Sequence, residues 1–178
     1  GENGVSAYGV IMYVSFIFIA VFIGYSMGVA PVIGYNYGAG NTDELKSLLK
    51  KSLTIILITE AVMLVSAEIM AVPLSKLFVG YDNELMEMTI SAFMIYSSAY
   101  LLIGINIFAS AFFTALNNGM ISAIISFSRT LVFQVVIVIF LPLIFGINGI
   151  WWATSVAELL AVMISVYYLV KMKTRYKY

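Results

Sequence analysis

The stretch Gly24–Asn41, GYSMGVAPVIGYNYGAGN, decides the fold, because it ends a long apolar segment with closely spaced glycines, a proline and a polar turn. Lys46, Lys50 and Lys51 follow directly after it. A bilayer contains no water to pair with exposed backbone groups, so glycine and proline at this density require a close neighbouring helix, a cavity or the interface. The stretch therefore predicts a membrane helix that packs tightly and then emerges on the basic side.

Composition indicates a membrane protein and excludes several functional classes. Hydrophobic residues make up 62% of the chain and charged residues 10%, against roughly a quarter charged in soluble domains. The net charge of zero offers no basic face for nucleic acid. Because the chain has no cysteine and no histidine, thiol nucleophiles, Cys/His zinc sites and histidine bases are excluded. We predict no enzyme, no catalytic residue, no metal site, no cofactor and no nucleic-acid partner.

Five apolar windows are each long enough to cross a hydrocarbon core of about 30 Å. Their approximate limits are 5–34, 53–72, 88–116, 120–143 and 147–170. The predicted fold class is all-α, a polytopic membrane helix bundle with five transmembrane helices. We also expect residues 1–178 to be a segment of a longer protein, because the chain begins at Gly1 without a short basic and apolar leader.

The distribution of basic residues predicts the orientation in the membrane. Lysine and arginine cluster after the first window and after the fifth, at Lys46, Lys50, Lys51, Lys171, Lys173, Arg175 and Lys177. The connection after the second window is acidic instead. Since lysine and arginine mark the cytoplasmic side, we predict a multi-pass protein of the plasma (inner) membrane with its amino end outside and its carboxy end in the cytoplasm.

Two sides of the first window differ in composition. At about 100° per residue, one side collects Tyr8, Met12, Ser15, Phe22 and Ser26. Gly24 and Gly28 lie almost opposite. Small residues on one side predict close helix packing there. The hydroxyl-bearing side predicts the lining of a wet cavity, with ordinary helix contacts as the alternative.

Three charged residues fall inside the apolar windows. Ser122, Ser126 and Arg129 occupy positions i, i+4 and i+7 on one face of the fourth window, and Glu158 belongs to a polar face of the fifth. A charge near mid-bilayer costs roughly 3 kcal/mol, so such residues turn inward and find partners. We expect Arg129 to neutralise Glu158. Glu60, in the second window, is an alternative partner that the sequence does not separate from Glu158.

The opening stretch resembles a known family. Its pattern G-x-x-x-G-V-x-P-x-I-G-Y-N-Y-G-A-x-N is similar to the second helix of the carboxy-terminal half of multidrug and toxic compound extrusion (MATE) transporters. The matching positions are Gly28, Pro31, Gly34, Asn36, Tyr37, Gly38, Ala39 and Asn41. The resemblance continues through FFTALNN, SFSR, FLPLIFGINGIWWA and AELLA. It therefore covers nearly the whole chain.

The resemblance implies that the chain is a partial carboxy-terminal lobe, with helices eight to twelve of the family. The amino-terminal lobe and one further helix would be missing partners. The whole protein would be a secondary active multidrug efflux antiporter that moves small organic cations across the lipid bilayer. Sodium or protons would drive it, and the first window would line the substrate cavity. The chain alone would not transport.

The family's coupling carboxylates have no match here. They lie in the seventh and tenth helices, or in the first, whereas the third window of this chain, the counterpart of the tenth helix, contains no acid. Arg129 and Glu158 match the family's S-R and A-E/D positions, for which lobe architecture is the first interpretation. Two alternatives stay open at this point: a lipid-linked sugar flippase of the same superfamily, and a non-transporting membrane fragment.

Overall fold

The computed structural model describes residues 2–178, and all regular structure within this range is helical. The elements in chain order are α1 (Glu2–Gly38), α2 (Thr42–Val79), α3 (Asn83–Ser97), α4 (Tyr100–Ala115), α5 (Gly119–Phe127), a π-helical segment (Ser128–Phe133), α6 (Gln134–Phe145), α7 (Ile147–Lys171) and α8 (Lys173–Tyr176). The predicted all-α membrane bundle is confirmed.

Four helical stretches are long and apolar enough to span a membrane, and a bent pair, α3 and α4, supplies the fifth. The pair bends by 45° near Ser98, a break that the third apolar window did not predict. Ser98 Oγ lies 2.8 Å from the carbonyl oxygen of Ile95 and 2.7 Å from Ser155 Oγ. A serine bonded back to the preceding turn competes with the helical ladder and commonly bends a helix.

The motif that ends α1 builds a tight connection to α2. Pro31 lies inside α1 without ending it, and Gly34 brings α1 so close to α4 that an added Cβ would lie 3.3 Å from the carbonyl oxygen of Ala115. Gly28 and Gly38 have open space around them. These glycines therefore differ in role, and only Gly34 is held by contact within this chain.

Two asparagines of the same motif close the turn. Asn41 Oδ1 accepts the Glu44 N–H at 3.3 Å and so caps α2, while Asn41 Nδ2 donates to Asn36 Oδ1 at 3.2 Å. Gly40 between them has φ 69°, which favours glycine because it has no Cβ. The motif thus fixes the angle at which the chain reverses.

Helix α4 lies at the centre of the lobe and contacts α1, α2, α5 and α7. Its neighbourhood holds the large buried aromatic side chains Phe22, Phe93, Tyr100, Phe108, Phe112 and Phe113. The α5–α6 span lies at the edge instead, where it packs on α4 and α7 and leaves most of its apolar surface open.

The two basic segments lie at one end of the bundle. Lys46 and Lys50 at the start of α2 border the same groove as Lys173 and Tyr178. Gly4, near the start of α1, lies next to Ile147 at the opposite end. A single basic end agrees with the charge pattern from which we predict the orientation, and the cytoplasmic location of that end stays a prediction.

Helix α7 begins in direct contact with the end of α6, which gives a test of the packing. A Cβ on Gly149 would lie 2.5 Å from the carbonyl oxygen of Leu141. We expect Gly149→Ala to lower the free energy of unfolding by about 1–3 kcal/mol, the usual cost of overpacking. Gly24→Ala is the control, since nothing lies within 4 Å of that position. Thermal unfolding in detergent measures both, and equal midpoints would contradict the packing.

Candidate functional site

The polar side of α1 lies inside the lobe, which corrects its assignment to a wet cavity. Ser15 Oγ lies 2.8 Å from the Tyr100 hydroxyl and donates to the Ile11 carbonyl oxygen at 2.9 Å. Phe22 packs against Gly104 of α4, and Ser26 is buried as well. Ser15 satisfies its hydroxyl group by bonding to its own helix, whereas Ser26 Oγ has no hydrogen-bond partner among the described residues. The hydroxyl-bearing side of α1 is therefore the side that packs against the other helices of this chain.

The glycine side of α1 is the open one. Nothing lies within 4 Å of a Cβ placed at Gly24 or Gly28, and the neighbouring apolar side chains of Phe16, Ile17 and Met27 are exposed. Periodicity separated the two sides of the helix correctly. Within this chain the polar side is the packed one, and the small-residue side is left for lipid or for helices outside this chain.

Tyr8 and Met12 are the half-buried members of the polar set. Tyr8 packs edge-on against Tyr96, with ring centroids 6.3 Å apart. It also borders an open apolar cavity of about 540 Å³ between the beginning of α1 and helices α6 and α7. The other residues of its wall include Val5, Val138, Pro142, Ile150 and Thr154. This volume lies in the range of small-molecule pockets, which is about 300–1,000 Å³.

Arg129 and Glu158 form the expected ion pair. Arg129 Nε lies 2.8 Å from Glu158 Oε1 and 2.9 Å from Oε2. Asn106 of α4 donates to Glu158 Oε2 at 2.8 Å, and Ser165 Oγ donates to Asn106 Oδ1 at 2.7 Å. Four side chains thus form the charged cluster, which joins α4, the π-helical segment and α7. Both carboxylate oxygens have partners.

The sequence did not identify Asn106, and it indicated Ser165 only as a member of the polar face of the fifth window that includes Glu158. Asn106 is an asparagine inside the apolar run LLIGINIFAS, and it is buried in the structure. A polar amide in the middle of a span is costly. An asparagine inside an apolar run could therefore have identified Asn106 from the sequence. Ser165 carried no signal beyond its helical face. Arg129 is also the second residue of the π-helical segment, a rare geometry often found at functional sites.

Glu60 has different surroundings from Glu158. It is fully buried on α2, and its Oε1 accepts the backbone N–H of Ile105 at 3.0 Å. Its Oε2 has no hydrogen-bond partner among the described residues. Arg129 is bonded to Glu158, so the alternative pairing with Glu60 is absent from the structure.

Hydroxyl groups of α5 turn toward α4. Ser110 Oγ lies 2.8 Å from Ser122 Oγ and 2.7 Å from Ser126 Oγ, and Thr114 donates to Ser122 at 2.8 Å. The polar face predicted from Ser122, Ser126 and Arg129 is therefore an interhelical contact surface. It holds the α5–α6 span against the centre of the lobe.

The sequence model of the MatE family matches residues 1–140. The chain belongs to the MatE family. A curated relative, the FAD transporter of Shewanella oneidensis, is 26% identical over 168 residues, which are 94% of this chain and 37% of that protein. The MatE chain thus spans little more than a third of that relative's length.

Solved structures show the same fold. A multidrug resistance MATE family transporter of the MOP superfamily has TM-scores of 0.91 in its outward-facing and 0.90 in its inward-facing conformation, at 22% identity. The match to the outward-facing structure covers 100% of this chain and 40% of that chain. The match to the inward-facing structure covers 99% of this chain and 41% of that chain. The Vibrio cholerae MATE transporter VcmN in the bent form has a TM-score of 0.84 at 18% identity, covering 98% of this chain and 40% of its own.

The charged cluster predicts a specific pattern in a double-mutant cycle. Arg129→Met leaves Glu158 buried without a counter-charge, and we expect a loss of about 3–5 kcal/mol in the free energy of unfolding. Arg129→Met with Glu158→Gln removes both charges, so we expect most of this loss to be recovered. Unfolding of the purified single and double variants in detergent measures the coupling. Equal losses in the two variants would show that the pair does not act as a unit.

Proposed function

We propose that this chain is most of the carboxy-terminal lobe of a secondary active exporter that moves small organic cations out of the cytoplasm. The observation that carries the proposal is the family match over residues 1–140, combined with a fold covering about two fifths of MATE transporter structures. A sodium or proton gradient is the energy source in this proposal. The missing helix and the amino-terminal lobe are the partners that complete the transport cavity.

Movement of this lobe as one body is part of the proposed mechanism. The chain superposes about equally well on the outward-facing and the inward-facing relative, with TM-scores of 0.91 and 0.90. A lobe that keeps its fold in both states favours rocking of one lobe against the other, as in other repeat-built transporters. The coupling ion then shifts the balance of states only by binding one of them more tightly.

The open glycine side of α1 supports the need for a second lobe. Gly24 and Gly28 present a small-residue surface with nothing packed on it, and such surfaces let helix backbones approach closely in membranes. We assign this side, together with the exposed residues Phe16 and Met27, to contact with the missing helices. The proposed cavity for substrate then lies where Tyr8 borders open space.

Organic cations fit the chemistry of this cavity. Its wall is predominantly apolar, and Tyr8 supplies an aromatic face, which attracts cations by about 0.5–2 kcal/mol. The relative named FAD transporter makes a flavin dinucleotide the second candidate substrate. FAD carries phosphate anions, yet Arg129, the basic residue inside the fourth apolar window, is bonded to Glu158. That pairing favours the cation, and it also disfavours a flippase for lipid-linked sugars.

A transport assay in proteoliposomes tests the proposed function. We expect the polypeptide that combines this lobe with its remaining helices to accumulate the dye ethidium when a sodium or proton gradient is imposed. The 178-residue chain alone should accumulate none, because one wall of the cavity is missing. Competition by FAD instead of by organic cations would assign the second substrate class. Transport of neither by the complete protein would contradict the proposal.

A substitution in the cavity tests the position of the substrate. We expect Tyr8→Ala in the complete protein to raise the KM for ethidium by about 2- to 30-fold, which corresponds to the loss of about 0.5–2 kcal/mol of cation–aromatic attraction. Tyr13→Ala is the matched control, because Tyr13 stacks on Phe78 of α2 instead. Equal effects of the two substitutions would place the substrate elsewhere.

A further inference from the structure

Glu60 is a buried carboxyl group that the ion pair does not use. It has no solvent-accessible surface, one oxygen bonded to the Ile105 N–H, and one oxygen with no partner among the described residues. Glu158 shows the contrasting case, because arginine and asparagine side chains bind both of its oxygens. The two buried carboxyl groups, Glu60 and Glu158, thus differ in their hydrogen bonding.

Among residues 2–178, no basic side chain forms a salt bridge with Glu60. Transfer of an isolated carboxylate into an apolar interior costs tens of kcal/mol in the limiting case, and such groups become neutral instead. Arg129 is bonded to Glu158, and the lysines lie in the end segments of the helices and in the carboxy-terminal segment. Glu60 therefore requires a bound cation, either a proton or a metal ion, to remain buried.

The surroundings of Glu60 suit a proton better than a metal ion. The Ile105 N–H donates toward the group, and the side chain of Phe22 packs beside it at Gly104. A metal ion would need several oxygen ligands, and the described residues include no cluster of three acidic side chains. A proton needs only the free oxygen.

The other titratable groups in this region do not supply a positive charge. Tyr25 of α1 donates to Ser52, and Tyr100 of α4 lies within hydrogen-bond distance of Ser15. Tyr96 of α3 is buried among aromatic rings. Glu158 of α7 is an acid that is bonded to Arg129, so it supplies no positive charge either. A protonated Glu60 carries no charge and therefore needs no counter-ion.

We propose that Glu60 binds one proton inside this lobe, on the carboxylate oxygen that has no partner, and exchanges it with water during the transport cycle. Binding converts the carboxylate to a carboxylic acid, with the proton on the free oxygen, and release returns the negative charge. The inference deepens the proposed function by naming the proton as a coupling ion.

Infrared difference spectroscopy of the purified chain in lipid tests the proton site without any transport. We expect the carbonyl stretch of a protonated carboxylic acid near neutral pH, replaced by carboxylate bands as the pH rises. Glu60→Gln should abolish this band. Glu68→Gln, on the exposed side of the same helix, is the matched control and should retain it.

Three results would overturn the proton site. The first is an unchanged acid band in Glu60→Gln, and the second is a band that no pH removes, which would make Glu60 a permanent structural acid. The third is a band that sodium removes at fixed pH, which would assign the site to a metal cation. If Glu60→Gln does not fold, Glu60→Asp serves instead, because it keeps the acid and should shift the band.

The outcome is independent of the test of the proposed function. An acid band that depends on Glu60 and on pH, in a complete protein that exports neither ethidium nor FAD, would keep the proton site and remove the export function. Export that continues when the band is absent from the wild-type chain would remove only the proton site. The infrared band therefore tests the proton site, and the transport assay tests the export function.

Discussion

Inside a bilayer only the protein itself can pair the polar atoms of the chain, and this constraint governs the structure from its turns to its charges. Serines bond back to their own helices or to tyrosines, as Ser15 does with Tyr100. Arg129 and Glu158 bond to each other, with Asn106 completing the carboxylate. These contacts join different helices, so the polar groups also fix how the helices pack. Apolar surface alone would not do so between helices surrounded by lipid.

The sequence was most informative where a signal was local and strong. Long apolar windows predicted the five spans, and the positions of Arg129 and Glu158 predicted their pairing. The cavity assignment of Ser15, Phe22 and Ser26 was wrong, because periodicity gives the phase of a helix and not the identity of its neighbour. Gly24 and Gly28 pack against nothing in this chain. The bend at Ser98 was invisible because many serines in membrane helices cause no bend, and the contact with Ser155 depends on the fold.

Glu60 marks the limit of what could be predicted about the candidate site. Its depth in the second window showed that it had to find a partner, but which partner depends on the register of α2 against α4. In the folded chain the partner is a backbone N–H. A pattern of residues in the sequence does not predict a contact of this type. Gly104 allows this approach, since a Cβ there would lie 2.9 Å from Glu60 Oε1. A glycine in α4 thus makes room for an acid in α2.

The central position of α4 connects these features. It receives Glu60 from α2, holds Glu158 of α7 through Asn106, and binds the hydroxyl groups of α5 through Ser110. The charged cluster has every carboxylate oxygen bonded, so it resists rearrangement and suits the rigid part of a moving lobe. The contact of Glu60 with α4 leaves one carboxylate oxygen without a partner among the described residues. A change of charge would therefore act on the lobe at Glu60, while the cluster on α7 keeps its geometry.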